Sequence, residues 1–286
     1  MSTDKNKLAV YLDELDADPF KACEIARALG LEHICLRRVW STSIGRATDD
    51  ACKQLIAAIR KAKLSVLIIY TDDGRCPAES LVYDQTIKRS LMIAAYFKAR
   101  FFRPFVGLNA TRLSGNQDEA ITKIDEWMDA IGGECARTPA ANSTVPLLEI
   151  DPDAEIFEAS AVTELLNKHK SWKLLYDPSL LIAKRNQNPM ERYWYPLRNR
   201  VAAIDLHDFK RGSGFVPAGM GDCLIDETIA DCTTNRYDGW FVVEPGVARR
   251  SNPTMSRKEI AKAVIANYIS VVEKTKQGAT NATKRT

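Results

Sequence analysis

The sequence predicts a single-domain α/β protein, a (β/α)8 TIM barrel. Four short apolar runs each end on an acidic side chain: Val145-Pro-Leu-Leu-Glu149, Trp172-Lys-Leu-Leu-Tyr-Asp177, Val201-Ala-Ala-Ile-Asp205 and Gly239-Trp-Phe-Val-Val-Glu244. Continuous apolar runs of this length, bounded by turn or polar residues, read as parallel strands buried on both faces. Each is followed by a stretch of helical periodicity, and 286 residues hold eight such units, the length of one barrel. The competing fold is an open doubly wound sheet, which needs a glycine-rich phosphate turn after its first strand. Tyr11-Leu-Asp-Glu-Leu-Asp16 contains no glycine.

Taken in order, strands are expected to start near Leu8, Ile34, Val66, Phe101, Leu147, Leu174, Ala202 and Phe241. The helices between and after them are expected at Asp18 to Gly30, Thr48 to Lys63, Asp84 to Ala99 and Gln117 to Ile131. Four more follow at Ile156 to Lys170, Pro189 to Asn199, Ile225 to Thr234 and Ser256 to Lys276. Residues 1–274 form the barrel on this reading. Residues 275–286 are polar and are expected to be a disordered tail.

Composition narrows the class. An apolar fraction of 45% is ordinary for a globular protein. No run approaches the roughly 18 apolar residues of a membrane span, and the start, Met-Ser-Thr-Asp-Lys-Asn-Lys7, lacks a signal peptide's apolar stretch. A cytoplasmic protein is expected, with no membrane partner. Seven cysteines without a CxxC pair read as reduced thiols rather than a disulfide frame or zinc cluster. The net charge of +3 is spread along the chain and gives no case for nucleic acid. Homo-oligomerisation is left open.

The four acidic strand ends outline a metal site. Active sites of (β/α)8 barrels lie at the C-terminal ends of the strands, and strand alternation decides which side chains point there. With Leu148 and Ile150 facing the helices, Glu149 faces inward; with Leu174 and Tyr176 outward, Asp177 is inward; with Val243 outward, Glu244 is inward. Ile204 and Leu206 face outward, which turns Ala203, Asp205 and His207 into the barrel. Two like charges about 4 Å apart repel by roughly 4 kcal/mol at an effective dielectric near 20. A bound cation or an uptake of protons must relieve four converging carboxylates. An all-oxygen set favours Mg2+ or Mn2+, and a histidine ligand widens the choice to Co2+ or Zn2+.

Three linked motifs carry a resemblance: Ile204-Asp-Leu-His-Asp-Phe-Lys210, Val216-Pro-Ala-Gly-Met-Gly-Asp222 and Tyr237-Asp-Gly-Trp-Phe-Val-Val-Glu-Pro245. In this order they resemble the sugar phosphate isomerase/epimerase family, the xylose-isomerase-like TIM barrels. Leu36-Arg-Arg-Val-Trp40, Arg103, Leu148-Glu149 and Tyr176-Asp-Pro178 also fall where that family has similar residues. The likeness runs from about Leu8 to Ala266 and is loose before Thr144. It implies one divalent metal held by Glu, Asp, His and Glu from strands five to eight, with the two glutamates as acid and base. Glu149, Asp177 and Glu244 match. The third position departs: an aspartate, Asp205, stands where the histidine ligand belongs, and His207 stands where the motif has lysine. Asp205 is taken as the ligand, with His207 nearer the substrate; the reverse assignment stays open.

The function implied is a metal-dependent sugar isomerase or epimerase. A proton is abstracted next to a carbonyl and a metal-stabilised enediolate is formed, with Glu149 and Glu244 as the catalytic pair. Glu155 and Arg211 match places where ketose epimerases of the family hold substrate hydroxyls. His207, Arg103, Arg38 and Trp40 complete the substrate-binding set. The histidine those epimerases carry three residues after the strand-six aspartate is Leu180 here. That keeps two alternatives open: a keto-sugar dehydratase or eliminase on the same site, and a non-catalytic sugar-binding barrel with a decayed metal site. A repair nuclease of the same fold needs several histidines for its trinuclear zinc, and the chain has His33, His169 and His207 alone.

Plainer roles are open for several of these residues. Asp177 could cap the helix that follows it and Asp208 a turn. Gly219-Met-Gly221 reads as a turn with glycine at positive φ, and His33 and His169 as structural. One of Arg37 and Arg38 must point inward by alternation. Tyr193-Trp-Tyr195 reads as packing, with cover for a sugar ring as the alternative.

Overall fold

The computed structural model of the chain describes residues 7–71, 85–104, 117–138, 143–150, 159–185, 188–246 and 254–283. Among these, eight parallel strands close into a barrel. They are β1 (Leu8–Tyr11), β2 (His33–Leu36), β3 (Ser65–Tyr70), β4 (Phe101–Arg103), β5 (Val145–Glu149), β6 (Lys173–Tyr176), β7 (Val201–Lys210) and β8 (Trp240–Val243). Each pairs with the next, and Leu8 opposite Phe241 joins β8 back to β1. Closure leaves none of these eight strands at an open edge of the barrel.

The strands are apolar throughout because both faces are covered. Leu8, Val10, Ile34, Leu36, Leu174, Tyr176, Ile204 and Val243 pack outward under the helices. Ala9, Tyr11, Cys35, Phe101, Leu147, Leu175, Ala203 and Val242 fill the interior. The alternation slips once. At β2–β3 the register passes from Ile34/Val66 to Cys35/Ile68, so Leu67 is an extra residue, and it joins Ile68 inside.

The helices are α1 (Pro19–Ala28), α2 (Asp49–Lys61), α3 (Gln85–Tyr96), α4 (Gln117–Arg137), α5 (Ala159–Lys168), α6 (Pro178–Arg185), α7 (Ile225–Thr234) and α8 (Arg257–Thr283). The starts of α1 and α2 follow from their caps. Asp18 accepts from the Phe20 N–H at 2.9 Å with Pro19 in the first turn, and Thr48 accepts from the Ala51 N–H at 3.2 Å. Gly30, at φ +77°, follows the end of α1. α8 runs on through Thr275 to Thr283, within the segment read as a polar tail. No helix among the described residues is long and apolar enough to cross a membrane. The six cysteines among them are free thiols.

Three features depart from the expected pattern. A two-stranded hairpin, Arg38–Val39 with Thr42–Ser43, follows β2, and Trp40 and Ser41 at its tip both have positive φ. The helix expected over Pro189 to Asn199 is instead a π-helical turn, Met190–Trp194, then a short α segment, Tyr195–Leu197; Pro196 offers no N–H there. β7 extends past the barrel to Lys210, and Gly214–Pro217 folds back on it, Pro217 opposite His207.

The carboxylate of Asp208, buried in this extension, holds the loop that follows. It accepts from the backbone N–H of Phe209 and Cys223 through Oδ1 and of Gly219 and Gly221 through Oδ2, at 2.8 to 3.1 Å. Gly219 takes φ +78°, as the turn reading expects. A Cβ on Gly221 would meet Asp208 Oδ1 at 2.4 Å, so the chain passes too close for any side chain. Asp208→Ala strands these donors in a buried setting and is expected to lower stability by about 3 kcal/mol. Urea unfolding followed by circular dichroism measures it; an unchanged midpoint would mean that the loop does not depend on the carboxylate.

Candidate metal centre

Interior positions on the last four strands set up the site. Leu147, Leu175, Ala203 and Val242 line the barrel interior. Two residues further along each strand come Glu149, Asp177, Asp205 and Glu244, on the same side and at the C-terminal mouth. All four line a cavity of about 430 Å³, with Arg37, Arg103, Tyr11 and Tyr70 from β1 to β4 opposite them. Carboxylate oxygens of Glu149, Asp177 and Asp205 lie within 4.8 Å of one another.

Glu244 has other partners. Its Oε1 accepts from Arg37 at 3.1 Å. Its Oε2 lies 3.1 Å from His207 Nδ1, close enough for an ion pair although not aligned as a hydrogen bond. His207 Nε2 lies 3.4 Å from Asp177 Oδ2 and also meets the Ser179 hydroxyl. His207 therefore stands between the carboxylates of strands six and eight. Asp177 does two things: Oδ1 accepts from the Ser179 N–H at 2.9 Å, capping α6, while Oδ2 faces the histidine.

Crowding sets the protonation of the group. Burial pushes Asp205 up to about 8, the charges of Asp177 and Glu244 add to this, and His207 opposes it. The Tyr11 hydroxyl donates to Asp205 at 3.0 Å. Burial works against a charge on His207, but Asp177 and Glu244 outweigh it and raise the imidazole to about 10. Burial also works against the Glu244 charge, yet His207 and Arg37 hold that carboxyl well below the usual range. Shifts in opposite directions within one cluster are what unneutralised carboxylates produce. The oxygens of half-buried Glu149 and of buried Asp177 and Asp205 suit a hard divalent cation, and the nitrogen of His207 lies beside them.

Residues singled out from sequence separate into those at this cavity and those elsewhere. Arg103 points inward, forms an ion pair with Glu149 and lies over the Tyr70 ring at 5.7 Å. Arg38 is exposed at the rim, in the hairpin after β2. Its neighbour Arg37 is the inward one. Arg37 bonds Asp13, Glu14 and Glu244 and lies 4.5 Å over the Tyr11 ring. Trp40 packs on Phe20 at 5.7 Å beside a separate hollow of about 150 Å³. Arg211 lies in the exposed turn beyond β7, its N–H bonded to Asp222. Both are carried off the cavity wall by hairpins that alternation within a strand does not foresee. Glu155 lies outside the described residues. Tyr193 and Trp194 are buried in the outer core, as packing predicts, and Tyr195 is exposed. His169, buried just past the end of α5, bridges Asp125 and Asp129 of α4, and His33 meets Trp240 edge-on.

The sequence reading gave no role to Tyr11, Tyr70, Asp13 or Glu14. Tyr11 shares the inward parity of Ala9 and could have been found that way. Glu14 sits in the helical turn after β1, where no strand period applies; it accepts from the Gly246 N–H at 2.7 Å, and burial beside Glu244 raises it to about 8.

No protein-family model matches the chain, and none of the curated proteins matches it. Solved structures do. A xylose isomerase-like TIM barrel protein from Mycobacterium smegmatis in complex with magnesium is 15% identical, with TM-score 0.60, over 93% of this chain and 97% of that one. D-psicose 3-epimerase with D-tagatose from Clostridium cellulolyticum H10 is 11% identical, with TM-score 0.65, over 93% and 99%. The "probable 3-DHS dehydratase AsbF" of Bacillus anthracis is 17% identical, with TM-score 0.64, over 91% and 97%. The chain has the fold of the xylose isomerase-like TIM barrels.

Asp205 sits level with Glu149 and Asp177, whereas His207 is one inward-facing step further out. Mn2+ is expected to bind at about one ion per chain. Asp205→Ala is expected to weaken it more than about 100-fold, while His207→Ala keeps the ion. Calorimetric titration of the three proteins decides; metal loss in His207→Ala alone would reverse the two roles.

Proposed function

We propose that the protein is a divalent-metal-dependent isomerase or epimerase. Its substrate is a sugar or sugar-derived compound, and its reaction moves a proton at a carbon next to a carbonyl. The observation that carries this is the convergence of Glu149, Asp177, Asp205 and Glu244 at the C-terminal mouth of one closed barrel. The reading gains support from fold neighbours described as an epimerase with a sugar bound and as a magnesium complex.

Glu149, Asp177 and Asp205 would hold the ion, Mg2+ or Mn2+, which when bound supplies Lewis-acid polarisation of the substrate's carbonyl and hydroxyl oxygens. The acid–base work falls to the chain. Arg103 pairs with the Glu149 carboxylate and orients it, fit to accept a proton from carbon. Glu244, between Arg37 and His207, is the second carboxylate of the pair. Glu244 is held ionised, so the proton at this end of the site is the one on His207, raised to about 10 and 3.1 Å from Glu244 Oε2, and it reaches the substrate only by way of that carboxylate. Arg37, fixed by Asp13 and Glu14, holds Glu244 in place. Tyr11 does the same for Asp205.

A second reading, removal of water from a keto-sugar on the same site, is favoured by one residue. Leu180 lines the cavity beside Glu244 where the ketose epimerases resembled have a histidine. One of the fold neighbours is described as a dehydratase. Proton abstraction is common to both reactions.

Glu149→Gln and Glu244→Gln each keep the shape of the side chain without its basicity. Each is expected to slow exchange of a substrate's carbon-bound proton with D2O by about 10²–10⁴-fold. The assay is proton NMR over a panel of ketoses and cyclic ketones with Mg2+ present. Near-normal exchange in either variant removes that residue from the pair, and no exchange of any panel member by the unaltered protein would sink the proton-transfer reading.

A further inference from the structure

The end of the barrel opposite the metal centre is strongly basic. Lys63, Lys98, Arg100, Lys170 and Arg236 are exposed in the turns that lead into β3, β4, β6 and β8, and half-buried Lys173 begins β6. None of the six forms a salt bridge with a described carboxylate. The acidic residues of the described turns at this end are Glu32 and Asp238, and Lys7 holds the second. Arg100 lies over the rings of Phe101 at 5.6 Å and Trp240 at 5.7 Å, which places its charge across the base of the barrel. A net charge of +3 that is scattered along the sequence is thus sorted in space, because every βα unit returns the chain to the same end.

Three of these cations sit where the backbone favours glycine. After α1, α2, α3 and α7 the chain closes with the same bond, from an N–H to the carbonyl five residues back. The pairs are Leu31 to Ala26, Leu64 to Ile59, Ala99 to Ala94 and Tyr237 to Cys232, at 2.9 to 3.1 Å. The residue before each donor takes positive φ: Gly30 at +77°, Lys63 at +55°, Lys98 at +53° and Arg236 at +53°. Glycine is the unstrained choice there, yet three of the four turns hold a long cationic side chain. The last turn of α2 already carries Arg60 and Lys61, so the helix dipole does not call for Lys63 as well.

The surroundings decide which polyanion fits. None of the exposed large apolar residues of the described chain lies in these turns. A protein partner would find no anchor there, and unpaired bases no ring to stack on. A flat anionic bilayer is kept away by α8. Tyr268 of that helix packs at 5.5 Å on Phe241, the second residue of β8, and α8 runs on to Thr283. At 1.5 Å per residue that is roughly 20 Å further. Charges held off so far lie beyond the Debye length of about 8 Å in physiological salt. A rod of phosphates can lie beside this post and against the basic turns. We infer that the N-terminal end of the barrel binds double-stranded nucleic acid through its phosphate backbone, without reading sequence. The inference is independent of the reaction at the mouth.

The test titrates the full chain into labelled DNA and RNA duplexes of about 20 base pairs, two unrelated sequences of each, and reads anisotropy from about 50 to about 200 mM salt. Binding with Kd of about 10⁻⁴–10⁻⁶ M is expected, alike for unrelated sequences, and contact with about four phosphates makes it roughly 100-fold weaker over that salt range. Changing Lys63→Gly, Lys98→Gly and Arg236→Gly together removes charge while relieving the backbone. This variant is expected to keep or raise Tm and to keep Mn2+ binding at the mouth. It should bind duplex at least about tenfold more weakly, with a salt slope lower by about 2. Arg211→Ala, at the opposite end, is expected to leave duplex binding unchanged. Binding of only one kind of duplex upholds the inference and names the nucleic acid. Kd weaker than about 1 mM for both kinds at about 50 mM salt would overturn it. So would unchanged affinity in the triple variant, or an equal loss in Arg211→Ala. Phosphatidylserine vesicles, polyglutamate or single-stranded DNA binding as tightly as duplex would overturn it too, and the unaltered protein alone gives these last outcomes.

Discussion

Charge crowding at the mouth of the barrel is the constraint on which the rest of the site depends. Four strands bring carboxylates to one cavity, and each like pair at about 4 Å costs roughly 4 kcal/mol even at an effective dielectric near 20. The chain offsets this with cations from the opposite strands: Arg103 pairs with Glu149, while Arg37 and His207 share Glu244. Asp205 is left with a tyrosine hydroxyl and two carboxylate neighbours, and it is the group whose ionisation suffers. A buried carboxyl that resists its charge, next to two more carboxylates whose oxygens lie within 4.8 Å of it, is where a divalent cation gains most.

The exchange of residues at Asp205 and His207 fits the same balance. With aspartate at the deeper step of β7, the oxygen set of Glu149, Asp177 and Asp205 is complete without nitrogen. The histidine one inward step further on lies between Asp177 and Glu244, where a cationic side chain neutralises both and carries the proton that the ionised Glu244 lacks. It stands where the motif resembled has lysine. The positive charge is kept while reach and basicity change, since imidazole is rigid and titrates near neutrality when unperturbed.

The frame around these charges is made of backbone. β7 runs ten residues, well past its barrel neighbours, and the strand Gly214–Pro217 returns along it to bring Phe215 against His207. Asp208, the residue after His207 and facing the other way, fixes the following loop through four backbone donors. One strand thus supplies a deep carboxylate, a cation at the mouth and an anchor outside the barrel at three nearby positions. Parity alone separates their tasks.

That parity is why so much of this protein is legible in its sequence. Leu174 and Tyr176, Ile204 and Leu206, and Val243 are large apolar residues that must face helices, and by strand alternation alone they turn Asp177, Asp205, His207 and Glu244 into the barrel. The strand starts, most helix bounds and the closed eight-fold order follow from short-range signals of the same kind: runs, caps and period. Tertiary structure decided what lies between elements and across the barrel. Arg37 rather than its neighbour Arg38 reaches the site, because Cys35 faces inward and a hairpin carries Arg38 and Trp40 to the rim. Glu14 joins the site through Gly246, more than two hundred residues away, and Phe215 through a strand that folds back. No local pattern encodes such contacts, because they arise only when closure brings the first strand beside the last. The sequence by itself determined which side chains face the cavity, since the period of a strand is a local property. The fold alone decided which of them touch, since partners in a closed barrel come from strands far apart in the chain.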